Sequence, residues 1–125
     1  MIIVDAMNVR GCVPDGWWRD KDGALRDLVA AIAAHDWPDD GRVVVVADGR
    51  PVADLPAGTQ GRVELRYAGH SAPGAADDEI VALVRSLDPG DGAVRVVTSD
   101  GGLIRRLPEW IAVEGASTFR RRIGP

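Results

Sequence analysis

The chain has 125 residues, 46% hydrophobic and 27% charged, with a formal net charge of −4. That is enough to build one domain with its own core, expected over residues 1–125, and the mild acidity argues against a simple basic coat for nucleic acid. Cys12 is the only cysteine, which excludes an intrachain disulfide and a cysteine-built metal centre.

Residues 2–5 (IIVD) read as a short, fully apolar strand that runs straight into a carboxylate. A long loop rich in Gly, Pro and Asp follows (VRGCVPDGWWRDKDG). Leu25, Leu28, Val29 and Ile32 then recur at helical spacing, and the Trp37-Pro38-Asp39-Asp40-Gly41 run turns the chain. RVVVVADG (42–49) is a second buried strand, again ending in an Asp, and the alternating GRVELRYAG (61–69) is a third, nearer an edge. AADDEIVALVRSL (75–87) is a helix with Ile80, Val81, Val84 and Leu87 on one face, closed by Asp88-Pro89-Gly90. AVRVVTSDGG (93–102) gives a fourth strand ending at Asp100, with a short helix to Leu107 after it. WIAVEGAS is a fifth strand and TFRRRI a tail.

Continuous apolar strands separated by helices imply an α/β fold, a parallel sheet flanked by helices on both faces. Ligands of such sheets bind beyond the carboxyl ends of the strands, where Asp5, Asp48 and Asp100 all fall. Asp77, in the first turn of its helix, is a fourth candidate. Asp78 lies about 100° further round the helix, so only one of the two points into such a site. Two carboxylates ~5 Å apart repel by about 3 kcal/mol at an effective dielectric near 20. Several such pairs call for a cation, and an all-oxygen donor set suits Mg²⁺ or Mn²⁺ better than zinc. Carboxylate-held Mg²⁺ is the usual device for phosphodiester hydrolysis. Asn8 is placed to donate to a phosphate oxygen or to orient water, with Thr98 and Ser99 in support. No Ser-His-Asp set is evident, nor is one required.

These residues resemble the NYN domains within the wider PIN-like ribonucleases. VDAMN is similar to that family's opening strand, VADG to its second-strand motif, AADDEIVALV to its Asp-led helix and VVTSDGGL to its late strand. VPDGWWRD and TFRRR also resemble the YacP-like branch. The resemblance implies a small parallel α/β domain that cleaves RNA with Mg²⁺ or Mn²⁺. It makes Asp5, Asp77 and Asp100 the catalytic, metal-binding carboxylates and places Asn8 on the family's Asn. Asp48 matches the variable second-strand motif and reads equally well as a plain Asp-Gly turn.

Other candidates carry two readings each. Trp17 and Trp18 either stack on unpaired bases or pin a loop to the core. Arg120, Arg121 and Arg122 either grip phosphate or form a solvated run. They belong to a local +3 over residues 101–125, which leaves −7 for residues 1–100. Arg10 and Arg19 are candidate phosphate contacts, while His35, His70 and Cys12 read as structural or incidental.

The expected function is hydrolysis of single-stranded or locally unpaired RNA. The rivals are a non-catalytic RNA-binding module and a phosphatase or nucleotide-handling enzyme. Against the last, there is no GxxxxGK(S/T) loop, and Asp5 lacks the DxD spacing of aspartyl-phosphate enzymes. RNA is the expected partner. Its presentation by the ribosome or another protein, a homodimer and membership of a toxin–antitoxin pair stay open. No apolar run approaches a membrane span and Met1 leads directly into the first strand, so a cytoplasmic protein without a leader is expected.

Overall fold

The computed structural model describes residues 1–11, 19–39 and 41–124. Six strands form one sheet: β1 (Ile2–Asp5), β2 (Val43–Ala47), β3 (Gly58–Gln60), β4 (Val63–Tyr67), β5 (Arg95–Val97) and β6 (Ala112–Glu114), in the order β3-β4-β2-β1-β5-β6. Among the described residues five α-helices accompany them: α1 (Ala6–Arg10), α2 (Lys21–Ala34), α3 (Ala75–Arg85), α4 (Gly101–Arg106) and α5 (Ala116–Arg122).

The sheet is parallel from β4 to β6 because each crossover contains a helix or a long loop, and both faces are covered, as the apolar runs predict. Side chains alternate across β1 and β2. Val4, Val43 and Val45 face Leu25, Leu28, Ile32 and Phe119 on the α2 and α5 side. Ile3, Val44 and Val46 face Ile80, Val84 and Leu103 on the α3 and α4 side. All five residues of β2 are buried. Each buried valine contributes roughly 1.5–3 kcal/mol, which is why this run cannot sit on a half-solvated sheet.

Three elements depart from the expectation. β3 is an exposed, antiparallel edge strand, so the sheet is mixed. Its sequence, GTQ, has no apolar face, and it is set by the reversal at Gly61 (φ 59), where glycine is the residue that fits. The chain after Asp5 does not go directly into a loop: α1 turns immediately, burying Ala6 and Val9. The closing TFRRRI segment is a helix, not a tail, because Ala116, Phe119 and Ile123 bury one face. Trp17, Trp18 and Cys12 lie outside the described residues.

Trp37 does more than end a helix. It is buried, donates its indole N–H to the Ile32 carbonyl at 2.9 Å, stacks on Phe119 and meets His35 edge-on. His35 is thus structural, as expected. Among the described residues, no helix is long and apolar enough to cross a membrane.

Candidate active site at the carboxyl edge of the sheet

β1 is where the strand order reverses. From it the chain builds β2 and β4 on one side, then crosses back to build β5 and β6 on the other. A reversal of this kind opens a crevice beyond the strand ends. Here it is a cleft of about 210 Å³ lined by Asp5, Asn8, Asp48, Asp77 and Asp100, among others. All four aspartates expected at one site therefore share a cleft.

Each arrives by a different local route. Asp5 is the last residue of β1, paired in register with Val46, and only 4% exposed. Asp77 stands in the first turn of α3, after Gly74 makes a left-handed turn (φ 80) into the helix. Asp78 lies outside the cleft lining and accepts from Arg106 Nη1 at 2.9 Å, so Asp77 is the residue of that pair that faces the site. Asp100 is the N-cap of α4, with its Oδ1 accepting from the Gly102 and Leu103 amides at 2.8 and 3.3 Å. A cap holds one oxygen and leaves the other available, so capping and ligation are compatible.

Thr98, fully buried, ties two of these together. Its hydroxyl donates to Asp5 Oδ2 at 3.0 Å and accepts the Asp100 amide at 3.1 Å. Asn8 Oδ1 accepts the Ser99 amide at 2.7 Å, which fixes the side-chain amide at the cleft. Ser99 itself serves the fold, since its hydroxyl accepts the Ala116 amide at 2.9 Å and so caps α5. It does not line the cleft.

The charges act on one another. Burial pushes the Asp5 carboxyl up to about 6, with the charges of Asp77 and Asp100 adding to the rise and the Thr98 hydroxyl opposing it. Asp77 is also raised, by burial first and then by Asp100, against the pull of Arg106. Among the described residues no three such side chains stand close enough to hold a metal ion in their present positions. The chemistry of the donor set nevertheless fits a hard divalent cation: carboxylate oxygens with an amide beside them, and no competing thiolate or imidazole in the lining.

Four arginines read as candidate phosphate contacts fall outside the cleft lining. Arg10 is buried, not surface-placed: its guanidinium donates to the Lys21 carbonyl at 3.2 Å and to Asp48 Oδ1 at 3.4 Å. Arg120 and Arg121 are on α5 and outside the cleft lining. Arg122 instead braces the fold, holding Glu114 with two donors opposite Arg95 and lying over Trp37 and Phe119.

Two cleft features escaped the sequence reading. Met7, 40% exposed, lines the cleft. Its position between Asp5 and Asn8 was the available signal. Residues 71–74 also line the cleft. They are tied to the β2 end by Gly49, which has φ 81, donates to the His70 carbonyl and accepts from Gly69, both at 2.9 Å. A side chain at 49 would meet Ser71 Oγ at 3.3 Å, a crowding no sequence pattern announces.

The fold and cleft together define a largely parallel-sheet α/β domain with a cluster of aspartates at its switch point. In particular, two crystal structures of Rae1 (YacP) from Bacillus subtilis, one of a tryptophan-to-leucine mutant, have this fold. Their TM-scores are 0.75 and 0.70, each at 23% identity, over 98% of this chain and 73% and 72% of theirs. The fold is therefore the one that the NYN and YacP-like motifs imply. No family model and no curated protein matches the chain.

Proposed function

We propose that this protein is a metal-dependent ribonuclease that hydrolyses phosphodiester bonds of single-stranded or locally unpaired RNA. The observation that supports it best is the sharing of one cleft by Asp5, Asp77 and Asp100, brought from a strand end, a helix start and a helix cap. Likeness in fold to Rae1 (YacP), together with the motif resemblance, supports an RNA substrate.

A bound Mg²⁺ or Mn²⁺ would supply a lowered pKa for an attacking water and would neutralise charge gathering on the phosphoryl group. Asp5, Asp77 and Asp100 would hold it. Thr98 keeps the Asp5 carboxylate in one orientation through its 3.0 Å hydrogen bond. Asn8, its carbonyl oxygen occupied by Ser99, offers its amide N–H groups to a phosphate oxygen. Met7 gives an unpaired base an apolar surface in the cleft, out of reach of a base stacked inside a duplex.

The test is cleavage of mixed single-stranded RNAs with Mn²⁺, Mg²⁺ or EDTA, comparing wild type with Asp5→Asn and Asp77→Asn. Metal-dependent cleavage lost in both folded variants supports the proposal. RNA that is bound and never cut replaces it with a binding module.

A further inference from the structure

Among the described residues, Arg10 is the one buried cation. It ends α1, the short helix that starts immediately after Asp5. Its Nη1 donates to the Lys21 carbonyl at the start of α2 and its Nη2 to Asp48 at the end of β2. Its side chain is 5% exposed and that of Asp48 22%. It does not line the cleft, so a phosphate lying there would not touch it. Burial pulls its guanidinium below the usual arginine range, against the neighbouring charges of Asp48 first and then Asp5.

We propose that Arg10 is a positioning residue: the internal counter-cation of the carboxylate cluster, which engages Asp48 and leaves cation binding to Asp5, Asp77 and Asp100. This rests on the cation-binding reading of the cleft. Asp48 reaches the cleft and would be a fourth ligand by position alone. Its Oδ1 is engaged by the guanidinium, and withdrawing that oxygen would strip a buried cation of a carboxylate, which is strongly destabilising. Arg10 lies on the helix that begins directly after Asp5 and contacts the residue that directly follows β2, so it links the chain leaving β1 to the chain leaving β2. The formal charge of the four aspartates with Arg10 is three negative; without Arg10 it is four negative, and Asp48 is released.

That has a consequence opposite to the loss expected of a damaged site. Removing this arginine should tighten cation binding. The measurement is titration of the purified protein with Mn²⁺ alone, following free Mn²⁺ by electron paramagnetic resonance. Arg10→Gln should bind Mn²⁺ about tenfold more tightly than wild type. Arg10→Lys, which keeps the charge, should stay near wild type. The double variant Arg10→Gln/Asp48→Asn removes the pair with no change of net charge and should return to wild-type affinity within about threefold. Should Arg10→Gln fail to fold, this charge-balanced double variant decides alone.

A double variant that loses Mn²⁺ affinity makes Asp48 a ligand and overturns the inference. So does an Arg10→Gln protein with unchanged Mn²⁺ affinity and weakened RNA binding, which would make Arg10 a phosphate contact. Wild type that binds no Mn²⁺ at all overturns the cation reading itself, and this inference with it.

Discussion

Thr98 and Asp5 are 93 positions apart in sequence and joined by one buried hydrogen bond of 3.0 Å, from the threonine hydroxyl to the carboxylate. The same hydroxyl accepts the Asp100 amide, so a single oxygen sets the relative positions of two site aspartates. Thr98→Val keeps the shape and removes both bonds. It should cost about 1–3 kcal/mol in urea denaturation, because an acceptor and a donor lose their buried partner. Cleavage should fall further than stability explains, and Thr98→Ser should restore both.

Asp5 is a source of instability that the site requires. Its carboxyl is raised from 3.8 to about 6 in the folded protein, chiefly by burial. The folded state therefore holds a proton that the unfolded state releases, and stability falls as pH rises through this interval. The cost is absent below about pH 3.8 and complete above about pH 6. Asp5→Asn should thus be more stable than wild type by up to ~3 kcal/mol at pH 7.5 in EDTA. The advantage should vanish near pH 4. Thermal melts of both proteins from pH 4 to 8 check this, and a constant difference would contradict it.

Asp100 has two roles that substitution separates. Asparagine caps a helix as well as aspartate does, while alanine does not. Asp100→Asn should leave stability within a few tenths of a kcal/mol and abolish cleavage. Asp100→Ala should abolish cleavage and cost about 1 kcal/mol besides. Equal stability of the two variants would remove the cap from the account of α4.

Met7 is 40% exposed beside the carboxylates, so a large part of its apolar side chain faces solvent and not the core. Met7→Ala should leave the melting temperature unchanged. It should raise the Kd for unpaired RNA about fivefold, the equivalent of ~1 kcal/mol of thioether–base contact. Duplex RNA should show no such change in a filter-binding comparison.

The three closing arginines should separate in the same way. Arg122→Ala loses two hydrogen bonds to Glu114 and its cover over Trp37, and should destabilise by roughly 1–3 kcal/mol. Arg120→Ala and Arg121→Ala should leave stability alone. If either arginine meets RNA beyond the cleft, its removal should lower the slope of log binding constant against log salt by about 0.7. An unchanged slope would restrict both to the solvated surface of α5.

The sequence by itself determined which residues make the core sheet and where its carboxylates fall. Runs such as IIVD and VVVVAD are apolar without alternation, so they must be buried on both faces. A charge that ends such a run can only stand at the sheet's edge, which is why Asp5, Asp48 and Asp100 were legible together. The helical spacing of α3 likewise restricted the site to one of Asp77 and Asp78. Tertiary structure decided the rest, because it depends on partners far apart in the chain. Only the packing shows Asp78 held by Arg106, Asp48 held by Arg10, and Ser99 capping α5. Arginine is the same letter whether it meets solvent, phosphate or a buried carboxylate, and no local period separates the three. The antiparallel β3 has no apolar face to announce it and exists through its pairing with β4. Local pattern fixes what must be buried; which polar groups meet across the sheet is settled only when the chain has closed on itself.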